Sequence, residues 1–132
     1  MTDIDWEALR VAARAASERA YVPYSHFPVG VAALTDTGKI VTGANVENAS
    51  YGLTLCAECA LVSKLHTDGL GKRLIAFACV GGDGAPLSPC GRCRQLLFEH
   101  GGPGLLLDGP DGTVTMESML PWAFGPENLE ES

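Results

Sequence analysis

Two cysteine pairs of identical spacing, C-A-E-C at 56–59 and C-G-R-C at 90–93, constrain this chain more than any other feature. Each opens a stretch of helical character, 56–66 and 90–102, and the second follows an apolar strand pattern and a loop. A helix N-terminus carries unpaired N–H groups and a partial positive charge, which favours the thiolate form that binds metal. Pro89 suits the start of the second helix, where a missing N–H costs little. A fold that uses both pairs together must bring two helix N-termini to one point.

Two chemistries fit that requirement. Four sulfurs on one zinc would make a structural clip, since C-x2-C pairs separated by a few tens of residues are a familiar form of that site. Three sulfurs, from Cys56, Cys90 and Cys93, would leave one corner of the zinc tetrahedron for water. Glu58 stands two residues after Cys56, on the same first turn, where its carboxylate can take that water's proton and pass it to a substrate. Size and charge weigh against the clip. A chain of 132 residues can bury about two-thirds of its unfolded surface without a metal. The net charge is −7 and the nine Lys and Arg residues are scattered, so no basic face exists for nucleic acid. The clip also gives Glu58 no role. A redox dithiol is weaker still, because two pairs and a glutamate exceed what that chemistry needs.

The rest of the chain alternates helix and strand. A helical period runs over 5–20 through Trp6, Leu9, Ala13, Ala16 and Ala20, with Asp3 and Asp5 at its N-terminal end. Two prolines interrupt 21–28. Strands are predicted at 29–34, 39–47, 73–80, 104–109 and 113–116, with turns at 35–38 and 111–112 and a loop at 81–88. The pattern places the fold in the α/β class with one mixed sheet, in one domain over 1–132. No apolar run approaches the ~20 residues needed to span a bilayer. The N-terminus lacks signal-peptide character, so a cytoplasmic protein is expected, with cysteines as thiols or metal ligands.

At this point the residues resemble a known family. C-A-E at 56–58 and P-C-G-R-C-R-Q at 89–95, with P-Y-S-H-F-P-V-G at 23–30 and N-V-E-N-A-S-Y-G at 45–52, look like the short, homotetrameric cytidine deaminases. The broader zinc deaminase signature is H-x-E followed by P-C-x-x-C, with a three-cysteine variant. The resemblance spans about residues 5 to 125 and implies a three-layer α/β/α fold. It implies one zinc per subunit on Cys56, Cys90 and Cys93, with Glu58 as proton shuttle. It implies that Asn45 and Glu47 hold the ribose hydroxyls, that Phe27 packs on the pyrimidine ring, and that the Ala57 backbone contacts the base. Ala49, Tyr51 and Phe124 resemble positions that reach a neighbouring subunit's site, so the active sites would be shared within a homotetramer. Arg94 resembles a donor to the zinc thiolates that offsets their charge. The implied reaction is hydrolytic deamination of cytidine and 2′-deoxycytidine to the uridines, with release of ammonia, in pyrimidine salvage. The substrate would be a free nucleoside, not nucleic acid, with a deaminase of another amino-pyrimidine as the alternative within the same enzyme class. Many relatives carry arginine directly after the catalytic glutamate; here that position is Cys59, read as a packed thiol near the metal and not a ligand.

Simpler readings cover the remaining candidates. Cys79 lies in the apolar run L-I-A-F-A-C-V and reads as a small buried residue. His66 and His100 end helices, where a cation is favoured. His26 reads as a surface residue, and Trp6 and Trp122 as packing residues.

Overall fold

The structure, a computed structural model, describes residues 3–129. Helix α1 (Trp6–Ser17) starts where the Asp5 carboxylate accepts the Ala8 N–H at 3.0 Å. Its stripe of Leu9, Ala13 and Ser17 is buried. It stops short of the predicted residue 20, because the chain turns there and the Tyr21 N–H donates to the Asn45 carbonyl at 3.0 Å. Strands β1 (Val29–Thr35) and β2 (Ile40–Ala44) form an antiparallel hairpin. Helix α2 (Ala57–Thr67), strand β3 (Leu74–Gly81), helix α3 (Gly91–Gly101) and strand β4 (Leu106–Gly109) follow. Strand β5 (Gly112–Thr115) and the short helix α4 (Met116–Met119) come next, and two short 3-10 turns lie at Tyr51–Leu53 and Pro126–Asn128.

The five strands form one sheet in the order β2-β1-β3-β4-β5. β1 runs antiparallel to β3, whereas β3 and β4 are parallel and joined through α3, so the sheet is mixed as the sequence predicts. The predicted strand 39–47 loses its ladder after Ala44. Its remainder is held by bridges: Glu47 N–H donates to the Tyr21 carbonyl at 2.9 Å, and Val46 exchanges two backbone bonds with Leu55. The predicted strand 113–116 gives up Met116, which begins α4 under a Thr115 cap.

Period two along β1 and β3 sorts the core into two halves. Val31, Ala33, Phe77 and Cys79 pack with Leu61 and Leu65 of α2 and Leu97 of α3. Ala32, Ala76, Ala78 and Val80 pack with Leu9 and Ala13 of α1 on the other side. Helices therefore cover both faces, in three layers. The α1 face is lined with small residues, and Gly30 is obligatory there: a Cβ would stand 1.9 Å from the Ala13 carbonyl oxygen. A two-pronged ion pair pins α1 to the sheet, with Arg10 Nε and Nη2 each 2.8 Å from an Asp108 oxygen. Among the described residues, no helix is long and apolar enough to cross a membrane.

Candidate metal centre and active site

Cys56 is the N-cap of α2 and Cys90 the N-cap of α3, while Cys93 lies in the first turn of α3. The first intrahelical bonds confirm the geometry: Ala60 N–H reaches the Cys56 carbonyl at 3.3 Å, and Arg94 N–H the Cys90 carbonyl at 2.9 Å. The three Sγ atoms lie within 4.8 Å of one another. Zinc–sulfur bonds of about 2.3 Å in a tetrahedron place sulfurs about 3.8 Å apart, so this donor set fits that ion. Among the described residues it is the one cluster of three or more ligand-type side chains so placed. Cys59 stands outside it, half-buried.

Electrostatics divide the three sulfurs: only Cys90 shifts toward the thiolate expected at a helix N-terminus, whereas burial overrides that effect at Cys56 and Cys93. Glu58 is 4% exposed, and burial pushes its carboxyl above the ordinary range. Burial also pushes the Cys56 and Cys93 thiols up, with Glu58 adding to the effect at both. Cys90 is drawn down, chiefly by the Cys93 backbone N–H, with the Arg92 N–H adding to it at the start of α3. A buried carboxylate beside three sulfurs is costly unless a cation shares the space.

These groups open onto a cavity of about 190 Å³. Val29, Leu55, Leu87 and Cys79 form apolar parts of its wall, and Asn45, Thr54 and Ser88 add polar groups. The thiol of Cys79 is pushed up by burial, in keeping with a packing residue in the wall. A second cavity of about 230 Å³ shares Cys79, Leu87 and Ser88 and is also lined by Arg94 and Asp108, but holds none of the three clustered sulfurs and not Glu58. The chemistry belongs to the first.

The other predicted residues are distributed around this cavity. Ala57 and Asn45 line it. Glu47 and Tyr51 line an adjoining concavity, joined to it through Thr54. Phe27, 54% exposed, faces a third, joined through Leu87. Asn45 and Glu47 already hold protein partners. Asn45 Oδ1 accepts from Val29 N–H at 2.9 Å and its Nδ2 donates to the Phe27 carbonyl at 3.0 Å. The Ser25 hydroxyl donates to Glu47 Oε2, and the N–H groups of Ser25 and Tyr24 donate to its Oε1 at 3.1 and 3.0 Å; the hydroxyl first, then these N–H groups, hold its carboxyl below the usual range. Ala49 and Tyr51 are exposed, and Phe124 is 60% exposed in a separate concavity beside Trp122.

Two readings need correction, and Arg94 has partners beyond those the resemblance implies. Its Nε bonds the Pro89 carbonyl at 3.0 Å, Nη1 the Met119 carbonyl at 3.2 Å, and Nη2 the Ser88 hydroxyl at 2.9 Å. It thereby grips the segment that leads into Cys90. Trp122 does not pack within its own chain. It is fully exposed, with φ at +48°, and the turn packs Ala123 inward in its place. His66 and His100 are not two independent helix-end cations. His66 Nε2 and His100 Nδ1 lie 3.2 Å apart, a contact that needs a neutral acceptor, and burial followed by the His66 charge draws His100 down. The periodicity reading also missed Ser25 and Thr54, whose partners lie elsewhere in the chain.

Comparison with known proteins adds a second line of evidence. A family model described as the cytidine and deoxycytidylate deaminase zinc-binding region matches residues 4–105. The chain is 59% identical over 129 residues to a cytidine deaminase of Mycobacterium tuberculosis, covering 98% of this chain and 96% of that protein. It is 40% identical over 131 residues to a cytidine deaminase of Sporosarcina psychrophila, covering 96% of each. Among solved structures, a crystal structure of the cytidine deaminase from Mycobacterium tuberculosis superposes with a TM-score of 0.90 at 60% identity, over 93% of this chain and 99% of that one. The cytidine deaminase from Burkholderia pseudomallei gives a TM-score of 0.80 at 42% identity, over 94% and 100%.

Proposed function

The chain belongs to the cytidine and deoxycytidylate deaminase zinc-binding family, and from that premise we propose that it hydrolyses cytidine and 2′-deoxycytidine to uridine and 2′-deoxyuridine with release of ammonia. The observation that carries this reading is the burial of Glu58 beside three convergent cysteine sulfurs, all lining one cavity.

Cys56, Cys90 and Cys93 hold the zinc, one per subunit. Zinc held there supplies the Lewis acidity that makes a water nucleophilic near neutral pH. Glu58 then moves the protons. It takes one from the attacking water and delivers it to N3 of the pyrimidine. It takes the second from the new hydroxyl at C4 and gives it to the amino nitrogen, which leaves as ammonia. The balance is one water consumed and one ammonia released. Burial keeps bulk water from competing for those protons.

Asn45 and Glu47 bind the ribose hydroxyls, Phe27 packs on the pyrimidine ring, and the Ala57 backbone contacts the base. Lone-pair counting supports a limited ribose contact. A carboxylate offers about four acceptor sites, and Tyr24 N–H and the N–H and hydroxyl of Ser25 take three at Glu47. One site remains for one ribose hydroxyl, which suits ribose and 2′-deoxyribose alike. Asn45 keeps one N–H and one lone pair free. Arg94 acts from outside the sulfur set by holding Ser88 and Pro89 ahead of Cys90. The exposure of Ala49, Tyr51 and Phe124 fits positions completed by a neighbouring subunit, and we take the working form as a homotetramer of single-domain chains, 1–132, in the cytoplasm, serving pyrimidine salvage.

A substrate panel tests the proposal. The zinc-loaded protein should release ammonia from cytidine and 2′-deoxycytidine and leave adenosine and single-stranded DNA untouched. Preference for a purine nucleoside or a polynucleotide would overturn it.

A further inference from the structure

Ser25 has no part in the assignments above, yet its hydroxyl joins two residues that do. It donates to Glu47 Oε2 and accepts the Phe27 N–H at 3.0 Å, while the Ser25 backbone N–H reaches Glu47 Oε1 at 3.1 Å. Its one proton and one of its lone pairs are thus committed, to the ribose-binding carboxylate on one side and to the backbone of the ring-packing residue on the other.

The residue between them strengthens the case. His26 has φ at +58°, a left-handed conformation that a non-glycine residue keeps only when its surroundings hold it there. The bonds around it do so: His26 N–H to the Val22 carbonyl at 3.0 Å, Phe27 N–H to Ser25 Oγ, and Asn45 Nδ2 to the Phe27 carbonyl. The left-handed turn places Phe27 where a regular continuation of the chain could not, and Ser25 locks that turn to Glu47.

We propose that Ser25 is a positioning residue that couples Glu47 to Phe27, so that the ribose contact and the ring contact are set as one unit. This rests on the deaminase reading above. Without the hydroxyl, Glu47 Oε2 loses its tether and the Phe27 N–H its acceptor. The carboxylate and the ring then adjust independently, and the cost falls on nucleoside binding more than on proton transfer at Glu58.

The test is a double-substitution cycle on the zinc-loaded protein with cytidine, using Ser25→Ala, Ser25→Thr, Glu47→Gln and the Ser25→Ala/Glu47→Gln pair, zinc content being measured for each. Ser25→Ala should raise KM about tenfold or more with kcat changed less than about threefold, as expected when a contact shared by ground and transition states is lost. Ser25→Thr, which keeps the hydroxyl, should recover most of the loss. In the Glu47→Gln background, Ser25→Ala should add clearly less than it does in the wild type, because the part of the hydroxyl's effect that runs through that carboxylate is already lost and only the part through the Phe27 N–H remains. Unchanged kinetics in Ser25→Ala, no recovery by Thr, or additive losses in the pair would each overturn the coupling while leaving the deaminase reading intact. An inactive wild-type protein with full zinc would overturn both.

Discussion

Gly43 lies directly against the first turn of α2: a Cβ there would stand 2.4 Å from the Ala57 carbonyl oxygen and 2.8 Å from the Leu61 N–H nitrogen. Both atoms are helix backbone and cannot move aside. The missing side chain lets α2 approach β2 closely, and α2 carries Cys56 and Glu58 into the site.

Gly43→Ala should therefore do two things at once. It should lower stability by about 1–3 kcal/mol through overpacking, read as a fall in thermal midpoint. It should also weaken zinc retention against a chelator, by shifting Cys56 away from Cys90 and Cys93. Wild-type stability together with wild-type zinc retention would show that α2 can yield.

Asn45 bridges the two ends of the Phe27 segment, so its loss should be felt in both stability and turnover. Asn45→Ala should cost about 1–3 kcal/mol, since it leaves the half-buried Val29 N–H without its partner. It should lower kcat/KM on cytidine at least about tenfold. Asn45→Asp should not rescue, because it sets a carboxylate oxygen against the Phe27 carbonyl where an N–H now donates. Full rescue by Asp would show that only the acceptor matters.

How far the sequence disclosed this arrangement depended on the range of the interaction. The helix starts at Cys56 and Cys90 were legible because capping and metal-ligand spacing are local. The mixed sheet was legible because β1 and β3 are apolar runs flanked by helical periods. The partners of Asn45, Glu47 and Arg94 were not. Asn45 and Glu47 bond residues 16 to 23 positions away, and Arg94 reaches 25 positions on to Met119. Residue type alone offers no rule for such pairings. The Arg10–Asp108 pair, 98 positions apart, is the extreme case. Met116 was misplaced because α4 is a single turn set by the Thr115 cap, too short for a period to register.

Arg10→Ala should lower the free energy of unfolding by about 2 kcal/mol, because the Asp108 side chain is only 5% exposed and would keep a buried charge. The figure sits below the usual range for a fully buried pair because Arg10 is itself partly exposed. Adding Asp108→Asn should recover part of the loss in urea unfolding. Zinc content should stay at wild-type level throughout. No loss in Arg10→Ala would mean that α1 is held by its apolar face alone.

The His66–His100 contact sets a pH signature. His100 is held below its ordinary value by burial and the His66 charge, with Arg73 also lowering it and Glu99 opposing. The folded chain thus binds a proton at His100 less readily than the unfolded chain. That contribution to stability is present above the ordinary histidine value of about 6.5 and is lost as pH falls below it. His100→Gln should flatten the fall in thermal midpoint between about pH 7 and 5.5. An unchanged slope would place the pH dependence in other groups.

In the proposed reaction Glu58 moves protons beside a zinc held by three sulfurs. The most direct measurement of that step pairs zinc content with ammonia release from cytidine, for wild type and Glu58→Gln. The expected result is one zinc per chain in both, turnover by the wild type, and a loss of about 10²- to 10⁴-fold in kcat for the variant. A wild type that holds its zinc without turning over cytidine, or a Glu58→Gln protein that matches it, would contradict the account.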